Sequence, residues 1–154
     1  MNFTIATETP LQDDVRALVA ALNEFTFQLT PAEYRHHLTV EQMAQPELTL
    51  FVARNEKGAA LGMGALRRHG ERVGEVKRMF VTPEARGLGV GGAILERIEG
   101  LARQEGLTRV VLETGSNFEA AKRIYERGGF VTCEPVLDYP PSPWTAFYAK
   151  SLGA

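Results

Sequence analysis

One segment constrains this chain more than any other: Val81-Thr82-Pro83-Glu84-Ala85-Arg86-Gly87-Leu88-Gly89-Val90-Gly91-Gly92. Four of its last six residues are glycine. Without a Cβ, such a turn lets a ligand approach the main chain closely and lets several N–H groups converge on one point. Residues 72–82 read as a strand that Pro83 stops. After the turn, Val90, Ile94, Ile98 and Leu101 recur at helical spacing as far as Gly106, predicting a helix over 89–104. A helix N-terminus adds unpaired N–H groups and a partial positive charge. Strand, turn and helix together make a site for a phosphate or pyrophosphate.

The rest of the chain sets the frame for this turn. Residues 2–7 alternate as a first strand. Thr9-Pro10-Leu11-Gln12 has the form of a capping box with Pro at the first helical position. Leu11, Val15, Leu18, Val19, Leu22 and Phe25 then share a helical face. Thr30-Pro31-Ala32-Glu33 repeats the device and opens a second helix through about Met43. Strands over 48–54 and 60–68 flank the hairpin turn Asn55-Glu56-Lys57-Gly58. His69-Gly70 leads into the strand before the glycine turn. Residues 109–114 are apolar enough for a strand buried on both faces. Ser116-Asn117-Phe118-Glu119 is a third capping box; its helix carries Ala121, Ile124 and Tyr125 inward and ends at Gly128-Gly129. Final strands over 130–137 and 145–151 are separated by a Pro-rich stretch. The order βααβββαβαββ predicts an α/β (α+β) fold in a single domain, 1–154, with a mixed sheet flanked by helices.

Gly87-x-Gly89-x-x-Gly92 also satisfies the dinucleotide fingerprint, with Glu113 near the spacing of a ribose-binding acid. Three facts count against that reading. Pro83-Glu84-Ala85-Arg86 separates strand from fingerprint, a hairpin series precedes it, and only about sixty residues follow, too few for a full dinucleotide fold. The absence of Gly-Lys-Ser/Thr excludes a P-loop.

Arg86-x-x-Gly89-x-Gly91 resembles the acyl-CoA pyrophosphate motif of the GNAT superfamily of N-acetyltransferases. Residues 77–91 resemble that family's fourth strand, turn and third helix. Asn117, Ala121, Tyr125 and Gly129-Phe130 are similar to its second block. The resemblance covers about residues 48–151 and implies a mostly antiparallel sheet splayed between its fourth and fifth strands. It implies acetyl-CoA as co-substrate and direct attack by an amine in a ternary complex. Leu112-Glu113-Thr114-Gly115 resembles a subgroup acting on small molecules or amino acids. Carried over residue by residue, Arg86, Gly87, Leu88, Gly89, Gly91 and Gly92 hold the pyrophosphate. The backbone of Phe80 and Val81 pairs with the pantetheine arm, and an N–H near Phe80 faces the oxyanion. Asn117 binds the arm, Tyr125 protonates the departing thiolate, and Glu75 is the general base.

Period-two parity places Glu75 on one face with Lys77, Met79 and Val81; a salt bridge to Lys77 or Arg78 is its plain alternative. Glu113 is the rival base. His36 and His37 border the acceptor side if the second helix does. Arg67, Arg68, Arg72 and Arg78 form a basic cluster, either an exposed strand face or a contact to the ribose phosphate. Cys133 reads as a small buried side chain. Trp144 and Phe147 line the acceptor pocket or a dimer contact, and a homodimer stays open. Two other classes also stay open: a non-catalytic acyl-CoA-binding module and a nucleotide-binding oxidoreductase subdomain.

A net charge of −2 argues against a nucleic-acid partner. One cysteine excludes an internal disulfide and a Cys-based zinc site, and no HExxH spacing supports a metal. Glu8, Asp13 and Asp14 precede the first basic residue, Arg16, so the N-terminal segment is not expected to act as a signal peptide. The apolar run 18–22 is too short to span a bilayer. A cytoplasmic location is the resulting expectation.

Overall fold

The computed structural model describes residues 2–32 and 38–153. Seven strands form one sheet in the order β1-β2-β3-β4-β5-β7-β6: β1 is Phe3–Thr7, β2 Leu48–Asn55, β3 Ala60–Arg68, β4 Val73–Val81, β5 Arg109–Gly115, β6 Val131–Thr132 and β7 Thr145–Ser151. The helices are α1 (Asp13–Leu29), α2 (Val40–Met43), α3 (Val90–Gln104) and α4 (Glu119–Arg127). Among the described residues only β4 and β5 pair in parallel; every other neighbouring pair is antiparallel. A doubly wound dinucleotide fold needs a mostly parallel sheet, so the oxidoreductase reading fails here.

The periodic apolar faces bury as two layers. Val15, Leu18, Val19 and Leu22 of α1 pack on Leu50, Val52, Met63, Ala65 and Phe80. Val90, Ile94, Leu95 and Ile98 of α3 pack on the opposite face, over Phe51, Leu66, Val76 and Leu112. A smaller cluster of Val111, Val136, Phe147 and Ala149 closes the β5–β7 end.

Two of the three expected capping boxes do not form. Thr9 Oγ1 accepts from the Leu11 N–H, so α1 begins at Asp13 with Gln12 as its N-cap and no side-chain cap. Ser116 Oγ donates to the Pro143 carbonyl, and α4 starts after Phe118 without a side-chain cap. A capping box does close at Thr39 and Gln42, ahead of α2. The expected helix start at Thr30–Glu33 runs into residues 33–37, so most of it, with His36 and His37, lies outside the described residues. The strand expected over 130–137 shortens to Val131–Thr132.

β4 carries a bulge. Its register against β3 runs Met63↔Phe80 and then Ala65↔Lys77, so Arg78 and Met79 together oppose Gly64. Arg78 has φ +58°, a left-handed value rare outside glycine. The extra residue inverts the alternation. Glu75, Lys77 and Phe80 lie on the face turned away from α3, where Phe80 meets α1 and Glu75 and Lys77 meet Tyr139, whereas Val76, Met79 and Val81 face α3. The expected common face of Glu75, Lys77, Met79 and Val81 is therefore corrected: only Lys77 shares it.

Candidate active site

Pairing between β4 and β5 begins at Val73↔Arg109 and stops at Val76↔Leu112. Both strands continue beyond that pair, β4 to Val81 and β5 to Gly115. They splay, and the gap is a cleft of about 270 Å³. Its walls are the β4 residues Val76–Val81, the β5 residues Glu113–Gly115, Leu22, Phe25, Thr26 and Thr30 near the end of α1, and Asn117 to Tyr125 around α4. Arg86 closes one end, and Trp144 and Thr145 lie at the rim. Phe25 and Phe118 meet edge to face across the wall, their ring centroids 5.2 Å apart.

The glycine turn stands at the end of β4. Pro83–Ala85 makes a short 3₁₀ turn, and Gly89 is the N-cap of α3. Gly87 and Gly89 both have φ +83°, which L side chains rarely adopt. A Cβ at either position, or at Gly92, would meet nothing within 4 Å. These glycines serve no internal packing, and their open side is the space a pyrophosphate would fill. Gly91 differs, because its Cβ would lie 2.7 Å from Ile124, so it is needed where α3 meets α4. Leu88 is exposed. Arg86 is exposed and its Nε donates to the Val81 carbonyl at 3.4 Å. The turn fits a CoA-type diphosphate through backbone N–H groups and the α3 N-terminus.

The two carboxylates are placed differently. Glu75 is 1% exposed and does not line the cleft. Its Oε1 lies 2.8 Å from His69 Nε2, and its Oε2 accepts from the Tyr139 hydroxyl at 2.6 Å. Lys77 Nζ donates to Tyr139 at 2.8 Å and stands 3.5 Å from Glu75. Glu113 lines the cleft. Burial pushes its carboxyl up to about 7; Lys77 opposes the rise and Glu75 adds to it.

Tyr125 lines the cleft from the α3 side, 5% exposed, its ring packed beside Phe130 and Tyr148. Burial raises its phenol above the ordinary tyrosine value. Asn117 also lines the cleft, its amide donating to the Leu29 carbonyl at 3.2 Å and so tying α4's approach to the end of α1. Two of the four clustered arginines are placed apart. Arg68 pairs with Glu105, its Nε 2.6 Å from Oε1, and Arg78 is buried against α1, not on an exposed face. Phe147 is core, packed with Val111 and near Tyr139. Cys133 is half-buried. Sequence reasoning missed Tyr139, which sits 62 residues from Lys77 inside a Pro-rich loop. Among the described residues no helix is long and apolar enough to cross a membrane.

A mostly antiparallel sheet, opened between its one parallel pair and capped by a glycine turn, defines an acyl-CoA N-acyltransferase fold. The chain belongs to the acetyltransferase (GNAT) family, which it matches over residues 15–130. It is 42% identical over 152 residues to an IAA acetyltransferase of Azospirillum brasilense, covering 98% of this chain and 99% of that one. It is 34% identical to the N-acetyltransferase YedL of Escherichia coli, over 97% of this chain and 95% of the relative. A Klebsiella pneumoniae crystal structure designated an acyl-CoA N-acyltransferase superposes with a TM-score of 0.83 at 31% identity, covering 97% of each chain.

Proposed function

We propose that this chain moves the acetyl group of acetyl-CoA to the amine of a small molecule, by direct attack in a ternary complex. One observation carries the reading. Glu113 and Tyr125 line the same cleft, the first on the sheet face shared with Phe147 and the second within the α3 layer. A base and an acid on opposite sides of one gap suit an amine arriving from one face and a thiolate leaving toward the other.

The glycine turn holds the diphosphate, and the pantetheine arm lies along the unpaired edge of β4 at Phe80 and Val81, with Asn117 beside it. The amine nitrogen attacks the thioester carbon. Glu113, with a carboxyl tuned near neutrality, takes the nitrogen's proton. A backbone N–H near Phe80 stabilises the oxyanion. The C–S bond then breaks, and Tyr125 donates its proton to the CoA sulfur. Glu75, expected as the base, acts through others on this reading: it fixes Lys77 and Tyr139 beside Glu113.

The test is an amine panel scored by thiol release with acetyl-CoA, run beside thermal melting with acetyl-CoA and with NAD. Thiol release with at least one amine, and a melting shift with acetyl-CoA only, supports the reading. A shift with acetyl-CoA and no release with any amine points to a binding module without catalysis.

A further inference from the structure

Arg78 is an anomaly that acetyl transfer leaves unexplained. It is 8% exposed and lines the cleft, yet no carboxylate lies within salt-bridge distance of it among the described residues. Its hydrogen bond to a neutral partner, from Nη2 to Asn23 Oδ1 of α1 at 2.5 Å, uses one of five donors. Its Nε is buried with no partner among the described residues. Burial lowers the guanidinium only to about 10, so the group stays charged at neutral pH. A buried cation with one neutral partner is costly to the fold. The chain also holds Arg78 at φ +58°, in the β4 bulge. Two unfavourable features at one residue, both aimed at the cleft, point to a ligand.

The CoA diphosphate is not that ligand. Arg78 precedes Val81 by three residues, roughly 10 Å of strand. Its guanidinium turns to the α1 face, whereas the glycine turn leads into α3 on the other face. The pantetheine arm is uncharged. Lys77, the other buried cation here, is already committed to Glu75 and Tyr139. The remaining molecule in the cleft is the acceptor.

We infer that Arg78 recognises an anionic group on the acceptor, and that the acceptor is an amine carrying a carboxylate. The inference rests on the acetyl-transfer reading. A guanidinium forms a paired, planar contact with a carboxylate, and one negative charge balances this cation, which has no carboxylate partner among the described residues. The carboxylate meets Arg78 on the α1 side while the amine reaches toward Glu113 across the gap. An acceptor held at two points is oriented as well as bound.

The experiment uses matched sets: amino acids, their carboxamides, the decarboxylated amines and phosphorylated amines, each scored for kcat/KM with acetyl-CoA. At least one amino acid should exceed its carboxamide by about 30-fold or more, the usual scale for a charge-assisted hydrogen bond. Arg78→Asn removes the cation with a residue that tolerates a left-handed φ. It should erase the preference through KM while leaving acetyl-CoA binding intact. Asn23→Asp supplies an internal carboxylate to Arg78; it should raise melting temperature and also abolish the preference, an outcome that a purely structural arginine would not give. Equal rates for acids and amides, or an acid preference that survives Arg78→Asn, overturns the inference. Preference for the phosphorylated amines assigns the anion as phosphate and overturns the carboxylate. If no amine turns over, the acetyl-transfer reading fails, and binding decides the rest. Amino acids that stabilise wild type but not Arg78→Asn against melting still support an anion site; no stabilisation by any acid rejects it.

Discussion

Lys77 and Glu113 are the first residues beyond the last β4–β5 pair, Val76↔Leu112, so opposite charges stand on the two lips of the cleft where the sheet opens. Their coupling is visible in both groups. Burial lifts the Glu113 carboxyl to about 7 against the pull of Lys77, and burial lowers the Lys77 ammonium against the pull of Glu75 and Glu113.

If Glu113 is the base, it works only when ionised. The acidic limb of kcat/KM for the free enzyme should therefore rise through about pH 7. Lys77→Met removes a favourable charge from the carboxylate, so the limb should move to higher pH. Glu113→Gln should lower kcat roughly 10²-fold and recover partly at high pH, where more amine is already neutral. Pre-steady-state rates across pH check this. A normal limb in Glu113→Gln returns the role to Glu75 or to water.

The same shift has a signature in stability. Glu113 has a folded pKa above its unfolded value, so between about 4.5 and about 7 the folded state binds more protons than the unfolded one. Stability from this group falls as pH rises across that window. Glu113→Gln should therefore be neutral near pH 4 and stabilising at pH 8, measured as a difference in Tm.

Glu75 predicts the opposite. Its carboxylate satisfies Tyr139 and lies beside His69 and Lys77 at 1% exposure. Glu75→Gln leaves the buried Lys77 ammonium without that charge and should cost about 3 kcal/mol, a fall in Tm of roughly 6–12 °C. Denaturant melts would show whether Glu75 carries a stability role that Glu113 lacks.

Gly89→Val should leave a folded protein that no longer responds to acetyl-CoA. A Cβ at Gly89 would meet nothing within 4 Å, so the cost to the fold is backbone strain, about 1–3 kcal/mol. The loss should appear as a missing ligand-induced melting shift. An unaltered shift would remove the turn from the binding site.

Tyr125→Phe keeps the packing against Phe130 and Tyr148. Only the phenolic proton is lost. We expect kcat about 10-fold lower, at the mild end of acid catalysis because a thiolate leaves readily. Acetyl-CoA affinity should be unchanged and the defect should persist at high pH.

The sequence made the strand order, the glycine turn and the residues around Tyr125 legible, because each depends on local spacing. Long-range choices were not legible. Thr9 and Ser116 both open capping-box patterns, but a turn N–H and the Pro143 carbonyl compete for their hydroxyls. Tyr139 reaches Glu75 only because the Pro-rich loop folds back over β5. Nothing about Arg78 announces a left-handed backbone, since that conformation is ordinarily glycine's. Parity counted through it put Glu75 on the wrong face for Met79 and Val81.

That bulge gives β4 two reading frames. Before Arg78 the odd-numbered Glu75 and Lys77 lie on the face away from α3; after it the even-numbered Phe80 does. Deleting the one residue Arg78 would restore an unbroken frame. Lys77, Met79, Phe80 and Val81 would then alternate on the faces they already occupy, Met79 and Val81 toward α3 and Phe80 toward α1, and Gly64 would meet one residue instead of two. The extra residue is thus not what sets the faces of its neighbours; what it adds to the strand is Arg78 itself. Deletion of Arg78 should therefore remove its side chain from the cleft and leave Met79, Phe80 and Val81 on their present faces.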